Sequence, residues 1–314
     1  MTETVELTQR TTCAYVRSMQ RPPLLEPGSR VTLVAPSGPL SQADLQHAIA
    51  NVRELGWEPV VGEHVLEREG YLAGMDMHRA ADLNRAANDD SVDAIWCIRG
   101  GYGAMRLLRS LDLDAWKRRP RALIGYSDIT ALHAAVGNSA DLVTFHGPTA
   151  RSTITDFSNR SLRAAVIEGA EPCGQARSAC TLVKGRARGT LVGGNLALVV
   201  SLLGTPYAPR FDQGILVLED VNEAVYRIDR MLTQLLLSGA LEQLAGIAFG
   251  SFTDITEDST DSERPLTDVL SEIAEAAGVP CIANIPLGHI ADQWTIPLGA
   301  TAELDADAKT LITI

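Results

Sequence analysis

Ser127 occupies a position typical of a nucleophile, on a sharp turn between a predicted strand and a predicted helix. The apolar run 122–124 is typical of a buried parallel strand, and apolar residues recur at helical spacing after the turn 125–128. Such a turn pushes a serine hydroxyl above the sheet edge, where the N–H groups of the next helix favour an oxyanion. The match to the G-x-S-x-G pattern is partial, because Ile129 replaces its second glycine. This stretch alone therefore favours a simpler alternative, in which Ser127 or Asp128 only caps the helix.

A carboxylate and an imidazole that could serve this serine also lie at predicted strand ends. Glu219 closes a strongly apolar strand, where burying a carboxylate costs free energy unless it has a partner. A helix cap formed together with Asp220 is an equally good interpretation of this residue. His289 follows a later strand and could act as a general base, although a surface-loop histidine is the commoner occurrence. His133 and His146 are competing bases nearer to the serine, and His133 falls inside a predicted helix, which favours a structural role.

Motif spacing argues against several other kinds of site. The sequence contains no G-x-x-x-x-G-K-S/T, no G-x-G-x-x-G and no H-E-x-x-H, so the usual phosphate-loop, dinucleotide and zinc-helix patterns are missing. The six histidines are scattered. We therefore expect no metal and no organic cofactor, although a metal site built from distant residues stays open. A nucleotide-dependent oxidoreductase is disfavoured on the same ground.

The elements that must position these residues alternate between strands and helices in the first half of the chain. Strands are predicted at 31–35, 59–65, 93–98, 122–124 and 142–145. This alternation favours a parallel sheet with helices on both faces, which binds ligands at the carboxyl ends of its strands. The second half is mixed, and its tail alternates apolar and polar residues as antiparallel strands do. The predicted fold class is α/β, with an N-terminal doubly wound parallel-sheet domain and a C-terminal mixed α/β domain that ends in antiparallel strands.

Four segments follow from this pattern. Residues 1–28 are polar and rich in proline, which predicts a flexible lead. The predicted nucleophile domain spans 29–150, an interdomain connection spans 151–185, and a C-terminal domain at 186–314 carries Glu219 and His289.

Composition narrows the class of protein. The 314 residues carry a net charge of −12, without the basic clusters that a nucleic-acid interface needs. Five cysteines, an odd number with no C-x-x-C pair, are typical of a reducing compartment. No apolar run has the length of a signal peptide or a membrane span. We expect a cytoplasmic protein with no nucleic-acid or membrane partner.

A series of short motifs, in unbroken order, resembles the LD-carboxypeptidase family, serine peptidase family S66. Each motif is weak alone, but the ordered set is specific and extends from about residue 29 to the end of the sequence. The motifs are Ala-Pro-Ser-Gly at 35–38, Arg-Gly-Gly-Tyr-Gly at 99–103, Ile-Gly-Tyr-Ser-Asp-Ile-Thr-Ala-Leu at 124–132, Phe-His-Gly-Pro at 145–148, Gly-Gly-Asn-Leu at 193–196, Leu-Leu-Gly-Thr-Pro-Tyr at 202–207, Leu-Glu-Asp at 218–220, Tyr-Arg-Ile-Asp-Arg-Met-Leu at 226–232 and Pro-Leu-Gly-His at 286–289.

The resemblance implies roles for individual residues. Ser127 would be the nucleophile, His289 the general base and Glu219 the group that orients the histidine. The backbone N–H groups of Gly101 and Asp128 would form the oxyanion hole. The resemblance further implies a homodimer without cofactors, which releases the C-terminal D-alanine of a small peptide, murein tetrapeptide, in peptidoglycan recycling.

Two alternative functions stay open. Another branch of the family hydrolyses microcin C-type acyl-nucleotides for self-immunity, and it needs an aromatic platform for the base. Trp294 is the one candidate for such a platform, and a packing role is favoured for it because tryptophan is usually largely buried. The second alternative, from another class, is a catalytically inert peptide-binding protein on the same scaffold.

Overall fold

The structure is a computed structural model that describes residues 19–255 and 264–314. Its first half contains the predicted alternation of strands and helices. The elements are β1 (Arg30–Val34), α1 (Gln42–Glu54), β2 (Glu58–Val61), α2 (Asp76–Asn88), β3 (Ala94–Cys97), α3 (Ala104–Leu107), α4 (Leu113–Arg118), β4 (Ala122–Gly125), α5 (Thr130–Ala140) and β5 (Thr144–His146).

Regular structure continues through the segment expected to be an interdomain connection, 151–185. It contains α6 (Asp156–Arg163), β6 (Gly174–Gln175) and β7 (Cys180–Val183). The elements that follow are β8 (Arg186–Asn195), α7 (Leu196–Ser201), β9 (Gly214–Val221), α8 (Val225–Leu237), β10 (Gly246–Thr253), α9 (Leu266–Ala277), β11 (Cys281–Ala283), β12 (Ile296–Leu298), β13 (Thr301–Asp305) and β14 (Thr310–Thr313).

The N-terminal sheet has six strands in the order β12-β5-β4-β3-β1-β2. Strands β1 to β5 pair in parallel, and β12 joins the edge antiparallel to β5. The chain runs outward from β1 to β2 and then crosses to β3 on the other side, so the strand order reverses between β1 and β3. Ligands in such sheets bind outside the carboxyl ends of the strands at this reversal, where the loops after β1 and β3 meet.

Helices cover both faces of this sheet. Leu45 and Val52 of α1 pack with Trp96 of β3 in one buried apolar cluster, whereas Leu83 of α2 and Leu132 of α5 belong to a second cluster. The central strands β3 and β4 are buried at every residue, and they consist of apolar residues throughout. The predicted doubly wound arrangement is confirmed.

The C-terminal sheet has eight strands in the order β6-β14-β13-β8-β9-β10-β11-β7. Its four central strands pair in parallel, and the outer strands pair antiparallel, β13 and β14 among them. This confirms the prediction of a mixed domain that ends in antiparallel strands. Strands β6 and β7, from the expected connection, belong to this sheet.

Residues 19–28 pack on the N-terminal domain, which corrects the expectation of a flexible lead over 1–28. Leu25 is only 2% exposed and lies in the same apolar cluster as α1. Gln20 forms a parallel bridge with Leu142, just before β5. Apolar burial and backbone hydrogen bonds therefore fix this stretch, and residues 1–18 lie outside the described residues. None of the helices in the described ranges combines the length and hydropathy needed to cross a membrane.

Candidate active site

Ser127 sits in a strained turn at the carboxyl end of β4. Its φ of +66° lies in the left-handed region, which is uncommon for a residue other than glycine. Tyr126 is extended, and a single 3₁₀ turn, Ser127–Ile129, leads into α5. A serine held in this conformation between a strand and a helix has the geometry of a nucleophile elbow.

The helix-capping alternative for this turn is wrong. Neither the Ser127 side chain nor the Asp128 side chain caps the 3₁₀ turn or the helix α5 that follows. The buried Asp128 carboxylate instead accepts a hydrogen bond from the backbone N–H of Ala104, 2.8 Å away. Burial raises the pKa of Asp128. Its side chain thus ties the nucleophile turn to the start of α3, and its backbone N–H remains beside Ser127.

Gly100 lies against the serine, a contact that the sequence did not reveal. A Cβ at this position would stand 2.9 Å from Ser127 Cβ and 3.1 Å from Ser127 Oγ. The next residue, Gly101, has φ +114° and faces the backbone of Gly38. The peptide that joins Gly100 to Gly101 therefore runs next to Ser127.

The structure brings Ser127, His289 and Glu219 into one chain of contacts across the two domains. His289 Nε2 lies 3.1 Å from Ser127 Oγ, and His289 Nδ1 lies 2.7 Å from Glu219 Oε2. The loop that carries His289 passes directly over Glu219, because a Cβ on Gly288 would stand 2.9 Å from Glu219 Cβ. The interpretation of His289 as a surface-loop residue is therefore wrong, since its side chain is 19% exposed and bonded at both nitrogens.

Glu219 is fully buried and ionised. Burial alone would raise the pKa of this carboxyl, but the imidazoles of His146 and His289 outweigh that effect and lower the pKa to about 2. A buried anion beside His289 can hold one tautomer of the ring and stabilise a protonated imidazole. Neither Glu219 nor Asp220 caps α8, the helix that follows them, because that helix begins without a side-chain cap. Asp220 instead accepts the N–H of Ala197 in the first turn of α7 at 3.0 Å, beside the N-cap residue Asn195.

Neither competing histidine forms a hydrogen bond with Ser127 within the described ranges. His133 Nε2 lies 2.8 Å from the carbonyl oxygen of Gly125. Burial, with a smaller effect of His146, lowers the pKa of His133 to about 3, so its imidazole is neutral. His146 is fully buried, with Nε2 3.8 Å from the second oxygen of Glu219. The ring of Tyr126 contacts both His146 and His289, with centroid distances of 6.0 and 4.8 Å.

Trp294 is a core residue. It is 3% exposed and belongs to an apolar cluster with residues of the C-terminal sheet. The packing interpretation is confirmed, and the indole offers no open face for a nucleotide base.

Three side chains away from this site could hold a metal ion. His64, Glu67 and His78 offer ligand atoms within 4.8 Å of one another. His64 Nδ1 is already 2.9 Å from Asp82, and His78 Nδ1 is 2.7 Å from Glu67. Sequence reasoning missed this group, because its members are up to 14 positions apart, from His64 to His78, and follow no metal motif. None of them contacts Ser127, His289 or Glu219 in the described part of the chain.

Comparisons with known proteins cover both domains. A family model described as the LD-carboxypeptidase N-terminal domain matches residues 31–147, and one described as the C-terminal domain matches residues 188–304. A Streptomyces coelicolor protein with a provisional carboxypeptidase name is 43% identical over 306 residues, covering 94% of this chain and 96% of its own. The murein tetrapeptide carboxypeptidase of Pseudomonas aeruginosa is 35% identical over 298 residues, covering 88% of this chain and 94% of its own. The crystal structure of an MccF-like protein from Bacillus anthracis is 25% identical, with a TM-score of 0.83 over 94% of this chain and 99% of that chain.

Proposed function

The chain belongs to the LD-carboxypeptidase family, whose two domain models together match most of the sequence, and from this premise we propose that it is a serine-type LD-carboxypeptidase. The proposed reaction releases the C-terminal D-alanine of murein tetrapeptide, a step of peptidoglycan recycling. Similarity to the murein tetrapeptide carboxypeptidase of Pseudomonas aeruginosa supports this substrate.

One observation carries the chemistry: the contacts Ser127 Oγ to His289 Nε2 and His289 Nδ1 to Glu219 Oε2, at 3.1 and 2.7 Å. A nucleophile and a base within hydrogen-bond distance, with a third group orienting the base, is the arrangement that activates a serine. An inert peptide-binding protein would have no need for an ionised, fully buried carboxylate at this position, which supports catalysis over binding alone.

In the proposed mechanism, Ser127 Oγ forms a bond to the carbonyl carbon of the L,D-peptide bond as its proton passes to His289 Nε2. Glu219 stabilises the imidazolium that results. The tetrahedral intermediate then breaks its C–N bond, and His289 gives the proton to the departing amine of D-alanine. A water molecule gives a proton to His289 as its oxygen bonds to the acyl carbon. The bond from that carbon to Ser127 Oγ then breaks, His289 returns the proton to Oγ, and the shortened peptide leaves.

The oxyanion of each tetrahedral intermediate would bind to the backbone N–H groups of Gly101 and Asp128. Gly100 supports this assignment, because its close approach to Ser127 brings the loop after β3 to the nucleophile. Removing one donor from an oxyanion hole typically costs about 10²–10³ in kcat. These donors are part of the backbone and can be disturbed only through their neighbours.

The acyl-nucleotide reaction is the second candidate function, because of the likeness to an MccF-like protein. Two observations disfavour it here. Trp294 is buried and provides no stacking platform. The identity to that protein is 25%, against 35% to the murein tetrapeptide carboxypeptidase.

D-alanine release from purified murein tetrapeptide tests the proposal, with Ser127→Ala as the control for a contaminating peptidase. We expect turnover by the wild type and none by the variant. A higher kcat/KM for an aminoacyl-sulfamoyl-adenosine than for the tetrapeptide would refute the carboxypeptidase assignment, and binding of either compound without turnover would favour the inert protein.

The proposal includes a homodimeric enzyme in the cytoplasm. The dimer rests on the family resemblance, and sedimentation equilibrium at working concentrations should give twice the mass of one chain. The cytoplasmic location rests on the unpaired cysteines and on the recycling role, and cell fractionation tests it.

A further inference from the structure

Three consecutive residues after β3 approach the nucleophile loop together. Gly100 contacts Ser127, and Gly101 carries a proposed oxyanion donor. The residue before them, Arg99, folds its side chain over Gly38. A Cβ on Gly38 would stand 3.4 Å from Arg99 Nε and 3.6 Å from Arg99 Cζ. A Cβ on Gly101 would stand 3.4 Å from Gly38 Cα, so Gly38 lies next to both the Arg99 guanidinium and Gly101.

The guanidinium of Arg99 has no carboxylate partner among the described residues. Its hydrogen bond goes to the carbonyl oxygen of Pro39 through Nη1. A guanidinium has five N–H donors in a planar fork, so most of the donor capacity of Arg99 is unused. The side chain is also partly buried, and a partly buried cation without an anion is costly to keep. Such a group suggests that an anion is bound during function.

The charges around Arg99 are mainly positive. Burial, together with Arg151 and Arg68, lowers the pKa of Arg99, and Asp44 opposes them. Asp44 is already engaged, since its carboxylate accepts from Arg151 at 2.9 Å and from the backbone of Ser41 at 2.8 Å. Arg68 follows β2 and Arg151 follows β5, so three arginines gather at the carboxyl edge of the sheet. Although the protein has a net charge of −12, the electrostatic potential at this edge favours the binding of anions.

We infer that Arg99 binds the terminal carboxylate of the peptide substrate, which deepens and rests on the proposed carboxypeptidase function. A carboxypeptidase must tell a free chain end from an internal bond, and the feature that differs is the carboxylate. One residue, about 3.6 Å of extended chain, separates that carboxylate from the scissile carbonyl. A side chain that recognises this carboxylate must therefore lie beside the proposed oxyanion-hole loop. The planar fork of arginine matches a carboxylate with two parallel N–H···O bonds.

Paired substrates test this assignment. One is murein tetrapeptide with a free C-terminal D-alanine, and the other is the same peptide ending in D-alaninamide. Both give the same tripeptide product, which chromatography quantifies. We expect the wild type to prefer the free acid, and Arg99→Gln to lower the acid-to-amide ratio of kcat/KM by about 10- to 100-fold, the range for a charge-assisted hydrogen bond. Arg99→Lys, which keeps the charge without the fork, should fall between them.

Arg118→Gln is the matched control. It removes the same charge from an exposed side chain at the end of α4, near the amino end of β4, and should keep the wild-type ratio. The residue before D-alanine in murein tetrapeptide is a diamino acid with a second carboxylate. A third substrate has lysine at this position and therefore lacks that carboxylate. The inference is overturned, while the carboxypeptidase function stands, if Arg99→Gln keeps the wild-type acid-to-amide ratio of kcat/KM. The same holds if Arg99→Gln changes only the ratio of kcat/KM between murein tetrapeptide and the lysine peptide. If the wild type releases the tripeptide from neither peptide, the proposed function fails and the inference with it.

Discussion

Gly100→Ala is the most direct test of the geometry around the nucleophile. The added methyl carbon would stand 2.9 Å from Ser127 Cβ, whereas ordinary van der Waals contact begins near 3.4 Å. One of the two residues must therefore move by about 0.5 Å. Ser127 is already held in a strained conformation, and Gly100 is joined to Gly101, which carries the proposed oxyanion donor, so neither can move without a cost to the proposed site. A misplacement of 1 Å can cost about 10²-fold in rate, and we expect kcat to fall about 10- to 100-fold.

The assay needs a readout of Ser127 that does not depend on substrate choice. The rate at which a fluorophosphonate labels the serine provides one, and it should fall together with kcat. Gly137→Ala is the matched control. It adds the same methyl group inside α5, 3.6 Å from the nearest atom, and should leave kcat unchanged while raising the unfolding free energy by about 0.5–1 kcal/mol. Wild-type labelling and turnover in Gly100→Ala would show that the loop after β3 does not press on the serine as described.

Three other outcomes are expected. Ser127→Ala and His289→Ala should each abolish turnover with an unchanged melting temperature, and the double variant should be little worse than either. Glu219→Gln should lose less activity than these variants. Near-normal turnover in His289→Ala would mean that another base acts. EDTA should not change turnover, because the proposed nucleophile is a hydroxyl activated by imidazole, and loss of activity restored by zinc would refute that mechanism. Burial lowers the pKa of His133 to about 3 from an ordinary 6.5, so below pH 6.5 the unfolded state binds a proton that the folded state does not. The unfolding free energy should therefore drop by up to about 1.4 kcal/mol per pH unit as pH falls. Denaturant titrations from pH 6.5 to 5 should show a shallower fall for His133→Gln than for the wild type.

Local patterns predicted the parts of the fold that depend on local forces. Alternating strands and helices, with apolar strands between them, indicated the doubly wound sheet, because burial on both faces requires apolar residues throughout. The pattern could not indicate that β12 joins this sheet, since antiparallel pairing of β12 with β5 depends on packing between distant segments. Leu25 shows the same limit: a polar, proline-rich stretch can still bury one side chain.

At the candidate site, the residue types were visible and their partners were not. Ser127, Glu219 and His289 were singled out by their positions at strand ends, but the residues alone favoured capping for the first and a surface position for the last. The family resemblance, not spacing, selected them as a triad. The positive φ of Ser127 and the contact with Gly100 arise from tertiary packing, which no pattern in one sequence records.

The pairing of β12 with β5 has a consequence for the folding of a newly made chain. The edge of the N-terminal sheet at β5 stays uncovered until β12 pairs with it and places Pro297 opposite Phe145. Until then the nascent chain presents unpaired backbone groups, which are a template for association with other chains, and a pairing over so long a sequence separation closes slowly. The segment that finally covers this edge begins a few residues after His289. The pairing that finally covers this edge therefore comes just after the proposed general base in the sequence, so the chain completes its proposed site and protects its sheet edge at nearly the same stage of folding.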